Sequence, residues 1–220
     1  MQYLNNAELL QKLLAQLVTG MGTTLTIFFL TILFSLPLGL LVALGRMSKH
    51  VWINAPIRFY ILIMRGTPLM LQLFAVYFFL PKLVGPIPRL TSTLIAFSFN
   101  YAAYFAEIYR GGIMSIDRGQ YEAGQVLGFT KAQTFLQIIL PQTLKRILLP
   151  VSNEVITLVK DTSLATAIAV SELFLVAKNA TSSSGSIEPL FVAGLFYLIM
   201  NSLVTMFFSF LTKKFDYYRG

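Results

Sequence analysis

The sequence predicts an all-α membrane protein with five transmembrane helices, an N-terminal amphipathic surface helix and one long cytoplasmic loop. Of its 220 residues, 56% are hydrophobic and only 12% are charged. An average soluble domain carries about 25% charged residues, because charged side chains cover the surface that faces water. Several apolar runs also approach the roughly 20 residues that a helix needs to cross a bilayer. We therefore expect most of the surface to face lipid.

The surface helix is predicted for residues 7–18. Leucines recur on one helical face, whereas Glu8, Lys12 and two glutamines fall on the other face. A short two-faced helix of this kind is typical of segments that lie in the membrane interface. Gly20 and Gly22 then predict a bend that separates this segment, residues 1–20, from the first span.

Five apolar segments are the predicted spans. The runs 23–44 and 189–212 contain no charged residue, and the first has no signal-peptide cleavage site after it. The shorter runs 66–81 and 90–106 can be lengthened by flanking basic side chains that reach the headgroups. The remaining segment, 147–177, is the fourth in chain order and is apolar but interrupted. Its charged residues are Glu154, Lys160, Asp161 and Glu172.

The net charge of +8 is distributed as in a membrane protein rather than a nucleic-acid-binding protein. Positive charges gather after the first span, in the segment 111–146 and in the C-terminal tail, and few lie on the other side. The positive-inside rule therefore places the N-terminus outside, and this loop and the C-terminus in the cytoplasm. In the tail, Arg219 adds to the inner charge, and Tyr217 and Tyr218 are expected at interface depth.

The composition argues against catalytic and metal sites. The chain has no cysteine and one histidine, so thiolate chemistry and a histidine-rich metal cluster are excluded. The nearest approach to a phosphate-binding loop, from Gly119 to Gly124, lacks the lysine and the hydroxyl residue that contact phosphates and Mg²⁺. We expect no cofactor on this chain, so a partner must handle any ATP.

The segment 111–142 is the only long polar segment. It predicts two helices, 120–127 and 131–139, which are divided at Gly128 and stopped at Pro141. An ordered loop of this length is typical of a docking surface. An ordinary amphipathic loop helix is the alternative explanation.

Within this loop, a set of residues resembles the EAA signature of the permease subunits of ATP-binding-cassette (ABC) importers. These residues are Glu122, Ala123, Gly124, Gly128, Ile138, Leu140 and Pro141. In that family the loop forms a coupling helix that lies in a groove of the ATPase and transmits its closure to the membrane helices. The chain departs from the general signature at Gly124, where alanine is favoured.

Three further stretches are similar to the polar amino-acid branch of these permeases. They are residues 65–69 (Arg-Gly-Thr-Pro-Leu) with Gln72, residues 103–112, and residues 160–164. The resemblance implies a type I importer permease that forms a single domain over 1–220 in the bacterial cytoplasmic membrane. It also implies a second permease subunit, with a homodimer favoured, an ATPase dimer that binds ATP and Mg²⁺, and an extracellular or periplasmic amino-acid-binding protein.

Two acidic residues in the fourth span require a partner or a function, because a charge near mid-bilayer costs at least about 2.5–3.5 kcal/mol. Glu154 and Asp161 lie seven residues apart, on one face of a continuous helix. They are candidates for binding the substrate's ammonium group or a cationic side chain. Alternatively, Asp161 only caps a helix and Glu154 pairs with a lysine such as Lys160.

The sequence after Asp161 predicts a break in this helix, with Asp161 as the N-cap of a second half-helix. Anionic groups of transported substrates often bind at such half-helix starts. The backbone amides of Thr162, Ser163 and Leu164 are therefore candidates for binding an α-carboxylate.

A polar stripe marks the third span. Asn100, Tyr104 and Glu107 share one helical face, and Asn100 falls near mid-membrane, where we expect it to line a pathway. Glu107 lies three residues before Arg110, which favours a structural ion pair.

Taken together, the residues and the resemblance predict an ATP-driven importer of a polar amino acid. A basic amino acid is favoured: arginine, lysine or histidine. Glutamine stays open, because a carboxylate can bind any α-ammonium group. A passive channel or an ion-coupled carrier would give no reason for the long cytoplasmic loop. A membrane enzyme lacks a candidate catalytic cluster, and a scaffold leaves the intramembrane acids unexplained.

Overall fold

The computed structural model describes residue 3 and residues 7–215. All secondary structure in this described part is helical, which confirms the all-α prediction. The predicted roles of Tyr217, Tyr218 and Arg219 lie outside the described residues.

Helix α1 spans Ala7–Arg46 as one uninterrupted helix of 40 residues. The predicted bend near Gly20 is therefore wrong, and so is the separate surface helix. A Cβ atom at Gly20 would lie 3.0 Å from the Cα atom of Leu173, so the glycine allows a close approach rather than a bend. Of the predicted apolar face, Leu13 and Leu17 are buried, whereas Leu14 and Val18 are exposed. The partners of Leu13 and Leu17 are residues of later helices, not lipid.

A sharply bent pair of helices follows. Helix α2 spans Val51–Gly66 and helix α3 spans Leu69–Val84, with an angle of 112° between them. Pro68 precedes α3 and has no N–H group to continue the hydrogen bonding of α2. The run 66–81 therefore forms α3 only from Leu69 onward, and the sequence analysis missed α2.

Helix α4, Arg89–Met114, is the centre of the fold. It contributes Phe97, Tyr101 and Phe105 to the main hydrophobic core. At about 1.5 Å per residue, its 26 residues are about 39 Å long, enough to cross the hydrocarbon core of a bilayer.

The segment after α4 confirms the predicted two-helix loop in outline. Helix α5 spans Arg118–Val126, and α6 is the short helix Lys131–Gln133. The chain then continues through the π-helical segment Thr134–Ile139 into helix α7, Leu140–Asp161. The prediction that Pro141 stops the helix is wrong. Proline lacks an N–H group, and the wider turns of the π-segment carry the helix past it without that donor.

The fourth apolar segment is broken, as predicted. After α7, the residues Thr162–Ile168 form a 3-10 helix, and Ala169 has a left-handed backbone with φ of 55°. Helix α8 then spans Leu173–Ser184 at an angle of 56° to the preceding helical segment, and α9 spans Glu188–Phe215.

Among the described residues, α1 and α9 are each long and apolar enough to cross a membrane. The number rises to as many as four when each bent pair counts as one span. The predicted total of five spans stays a prediction.

Candidate functional site

A polar cluster joins α4 to the end of α7. The hydroxyl of Tyr101, which is 2% exposed, donates a 2.8 Å hydrogen bond to Oδ2 of Asp161. Glu154 lies two turns earlier on α7 and is half-buried like Asp161, and the charges of the two carboxylates interact. The structure thus brings the two predicted acids into one environment. Tyr101 was missed, since one tyrosine among many aromatic residues gives no signal of its own.

The predicted carboxylate site after Asp161 is not formed. Asp161 starts the 3-10 helix but makes no capping hydrogen bond with its side chain. The amide of Thr162 already donates to carbonyl oxygens of α7, and the hydroxyls of Thr162 and Ser163 donate to carbonyls three residues earlier at 2.7 Å. The 3-10 helix uses its amides for its own i→i+3 bonds, and Leu164 packs against the main core.

The N-cap of the second half-helix is Glu172. Its carboxylate accepts hydrogen bonds from the amides of Phe174 and Leu175 at 2.8 and 2.7 Å, and from the hydroxyl of Tyr197 at 2.9 Å. Glu172 is fully buried, so these bonds replace its hydration. The helix is broken where the sequence predicts, but the predicted N-cap, Asp161, is wrong. The sequence favours Asp161 over Glu172 because Asp is a far commoner N-cap than Glu.

Asn100 does not line a pathway in this structure. It is 4% exposed, and its amide nitrogen donates to the carbonyl oxygen of Met64 at 3.0 Å and to Oε1 of Gln72 at 2.8 Å. Gln72 in turn donates to the carbonyl oxygens of Met64 and Thr67. This amide pair holds the bend between α2 and α3 against α4, where the break leaves backbone carbonyls without helical partners.

Glu107 forms the predicted ion pair. Oε2 of Glu107 accepts from Nη2 of Arg110 at 2.6 Å and from Nε of Arg110 at 3.1 Å. Two further arginines are more distant: Nε of Arg46 lies 3.8 Å and Nη1 of Arg65 lies 4.0 Å from the carboxylate. Glu107 therefore connects the ends of α1 and α2 to α4.

A cavity of about 730 Å³ opens beside this ion cluster, between α2 and the C-terminal half of α4. Among its lining residues are three arginines and one carboxylate. The charged and aromatic residues of the lining are Arg46, Arg58, Arg65, Phe59, Tyr104 and Glu107. The guanidinium of Arg65 lies over the ring of Tyr104, 5.2 Å from its centroid. The cavity thus combines an aromatic wall with an excess of positive charge.

The loop helix α5 presents an exposed face and an exposed tip. Glu122 and Ala123 are exposed, and beyond them Val126 is 88% and Leu127 67% exposed. Large apolar side chains at the tip of a polar loop are typical of a surface that a partner protein covers.

Gly128 ends α5 in a Schellman motif. The amide of Phe129 donates to the carbonyl oxygen of Gly124 at 2.9 Å, and that of Gly128 donates to the carbonyl oxygen of Gln125 at 3.0 Å. This motif requires the left-handed backbone that Gly128 adopts, with φ of 79°. The division of the loop at Gly128 is therefore confirmed.

Gly124 is the contact point between the two arms of the loop. A Cβ atom there would lie 2.6 Å from Oγ1 and 2.7 Å from Cγ2 of Thr134. The departure from the alanine of the general signature therefore has a physical reason, since Thr134 occupies that space. Farther along, Ile138 and Leu140 are half-buried and Pro141 is exposed.

The helical fold, the broken fourth segment with buried acids and the two-armed polar loop define a membrane-embedded transport subunit. The chain belongs to the family described as the inner membrane component of binding-protein-dependent transport systems, which matches residues 35–217. Members of this family are permease subunits of ABC importers rather than enzymes, and a separate subunit is the ATPase.

Among individual relatives, the chain is 36% identical over 218 residues to the probable amino-acid ABC transporter permease protein YckA of Bacillus subtilis (strain 168), covering 99% of this chain and 96% of that one. It is 37% identical over 194 residues to the arginine transport system permease protein ArtQ of the same organism, covering 86% and 87%. Among solved structures, an amino acid ABC transporter crystallised with histidines matches with a TM-score of 0.86 and 32% identity, covering 93% of this chain and 96% of that chain.

Proposed function

We propose that this chain is the permease subunit of an ATP-driven importer for a polar amino acid, and that the substrate is basic: arginine, lysine or histidine. The observation that carries this proposal is the pair of half-buried carboxylates, Glu154 and Asp161, on one face of α7 beside Tyr101. A cationic side chain in this place would offset the cost of keeping two acids away from water.

The relatives support an amino-acid substrate but are named for different ones, among them arginine, glutamine, cystine and octopine. ArtQ is named for arginine transport. A relative from Rickettsia bellii, 32% identical over 200 residues, is named as a putative glutamine transport system permease. Glutamine is therefore the alternative substrate, and the acidic cluster favours the basic class over it.

The proposed transporter is an assembly of permease, ATPase and binding-protein subunits. We propose that the single permease domain, residues 1–220, lies in the bacterial cytoplasmic membrane with its N-terminus outside and its C-terminus inside. Two copies form a homodimer that receives the amino acid from an external binding protein. A dimer of ATPase subunits binds ATP and Mg²⁺ and contacts the loop 111–142 through the exposed face of α5.

The experiment is substrate-stimulated ATPase activity of the full transporter, reconstituted in liposomes with its ATPase and binding protein. Wild type is compared with Glu154→Gln and Asp161→Asn, each tested with arginine, lysine, histidine and glutamine. Glu8→Gln is the matched control, because Glu8 is an exposed acid whose pairing with Lys12 contributes little to stability.

Basic amino acids should stimulate the wild type and the Glu8 variant, and both α7 variants should lose that preference. Equal stimulation of the α7 variants and wild type would show that the two acids are structural. Stimulation by glutamine alone would replace the basic substrate with the alternative. Amino-acid flux through the permease alone, without ATP, would indicate a passive channel or an ion-coupled carrier.

A further inference from the structure

The α-carboxylate of an amino acid has no partner among the residues that the proposed function uses. Glu154 and Asp161 are acids, and the amide of Thr162 is occupied by helical hydrogen bonds. A carboxylate brought into a membrane protein needs a cation or several donors, because an unpaired charge there is costly. An excess of positive charge lies in the arginine-lined cavity between α2 and α4.

Arg65 is the arginine of this cavity that ring contacts connect to the acidic cluster. Its guanidinium lies over Tyr104, and the ring centroid of Tyr104 is 6.4 Å from that of Tyr101, the partner of Asp161. The side chain of Arg65 is 44% exposed, and its charge interacts with that of Glu154. The face of Tyr104 supports its guanidinium at 5.2 Å, which limits the directions in which the fork can point. Arg65 therefore lines the cavity and is connected to the acidic cluster through Tyr104 and Tyr101.

The backbone at Arg65 is held firmly. The carbonyl oxygen of the preceding residue, Met64, accepts hydrogen bonds of 3.0 Å from both Asn100 and Gln72. These two amides come from α4 and α3, so two other helices fix the end of α2 at this point. Asn100 and Gln72 therefore have a positioning role: they hold the backbone from which the Arg65 side chain extends.

Arg65 also keeps hydrogen-bond donors for a ligand. Its nearest carboxylate, Glu107, is 4.0 Å away, whereas Arg110 already contacts that carboxylate with two nitrogens at 2.6 and 3.1 Å. A guanidinium offers a planar fork that matches a carboxylate with two parallel hydrogen bonds. Glu107 thus leaves the fork of Arg65 largely available.

We propose that Arg65 binds the α-carboxylate of the transported amino acid, while Glu154 and Asp161 bind its cationic groups. This inference rests on the proposed function, because it assigns the other end of the same substrate. It also predicts that the permease itself, and not only its external binding protein, discriminates amino acids from the corresponding amines.

The test is equilibrium binding to the purified permease–ATPase complex in detergent, with the external binding protein left out. The probes are radiolabelled L-arginine and agmatine, which is arginine without its α-carboxylate. Wild type is compared with Arg65→Gln, Arg65→Lys and Arg58→Gln. Arg58 lines the same cavity and serves as the control for a general change in its charge.

Wild type should bind L-arginine about tenfold or more tighter than agmatine, as a charge-assisted carboxylate contact implies. Arg65→Gln should remove this difference by weakening L-arginine alone, and Arg65→Lys should restore part of it. Unchanged agmatine binding shows that the Arg65→Gln complex is folded. Retained discrimination in Arg65→Gln, equal weakening of both probes, or the same loss in Arg58→Gln would overturn the assignment.

The substrate class is tested separately from Arg65. If wild type binds L-glutamine and not L-arginine, the basic substrate is wrong, and L-glutamine against 4-aminobutanamide, its decarboxylated form, then tests Arg65 in the same variants. L-lysine and L-histidine are tested in the same way against their decarboxylated amines, cadaverine and histamine. If wild type binds none of these amino acids, both the substrate site and the role of Arg65 are rejected.

Discussion

At the scale of single residues, the contact between Gly124 and Thr134 determines how the two arms of the loop meet. The two residues belong to α5 and to the π-helical segment, and both are buried although most residues adjacent to them along the chain are exposed. The absence of a side chain at Gly124 thus makes room for the methyl and hydroxyl groups of Thr134. The distance between the arms depends on this match.

Gly124→Ala should therefore weaken the coupling of transport to ATP hydrolysis. The added methyl overlaps Oγ1 and Cγ2 of Thr134, and such overpacking typically costs about 1–3 kcal/mol. The double variant Gly124→Ala with Thr134→Ala removes both clashing atoms and should recover much of the coupling. The measurement is the ratio of amino acid transported to ATP hydrolysed in proteoliposomes.

The control for this prediction is Gly111→Ala, because nothing lies within 4 Å of a Cβ atom at Gly111. It should leave the ratio unchanged. A Gly124→Ala transporter with wild-type coupling, or a double variant no better than the single one, would show that the contact does not set the loop geometry.

At the scale of elements, the packing of α1 against α4 depends on a small residue. A Cβ atom at Gly39 would lie 2.9 Å from Cβ of Phe105 and 3.1 Å from the carbonyl oxygen of Ala102. Helices in a membrane approach closely where such small residues let their backbones meet. The same helix carries Gly22, where a Cβ atom would meet nothing within 4 Å.

Gly39→Ala should lower the thermal unfolding midpoint of the detergent-solubilised protein, whereas Gly22→Ala should leave it unchanged or raise it. Alanine is a better helix former than glycine by about 1 kcal/mol, which by itself would raise the midpoint. A lower midpoint for Gly39→Ala can therefore come only from the clash of the added methyl group with α4. Equal midpoints for the two variants would mean that α1 and α4 adjust to the added methyl group.

The start of α8 gives a second prediction at this scale. Glu172→Ala would leave the amides of Phe174 and Leu175 without the capping acceptor, at a cost of about 0.5–2 kcal/mol, and would also remove the acceptor of the Tyr197 hydroxyl. The unfolding midpoint should fall clearly for Glu172→Ala and less for Tyr197→Phe, which removes only one bond. Substrate preference in the ATPase assay should stay as in wild type, in contrast to the α7 variants. A changed preference in a stable Glu172→Ala protein would contradict this structural role.

These elements also show what could be predicted from the sequence. Long apolar runs identify α1 and α9, and the spacing around Gly128 identifies the two-armed loop, because both signals are local. The partners of Asn100 and Glu172 come from distant parts of the chain, so no local pattern reveals that one holds a bend and the other caps a helix. Pro141 was misjudged because a π-helical turn absorbs a proline that would stop a regular α-helix.

At the scale of the whole molecule, the charges define a direction across the membrane. The acids of α7 lie beside the middle of α4, the arginine-lined cavity lies beside its C-terminal half, and the loop begins where α4 ends. Helix α7 thus connects the loop directly to the acids. A substrate bound to the acids and an ATPase bound to the loop would therefore act on opposite ends of the same helix. This connection requires the loop to be cytoplasmic, which is the orientation that the charge distribution predicts.

The orientation can be measured with single cysteines, because the sequence contains none of its own. Glu8→Cys and Val126→Cys place a thiol at exposed positions near the start of α1 and at the loop tip. In intact cells, a membrane-impermeant maleimide should label the first and not the second, and permeabilisation should expose the second. ATPase subunits covering the loop would also protect Val126→Cys, so the permeabilised sample is compared with and without the ATPase. Labelling of Val126→Cys in intact cells would reverse the topology, and the loop could then not contact a cytoplasmic ATPase.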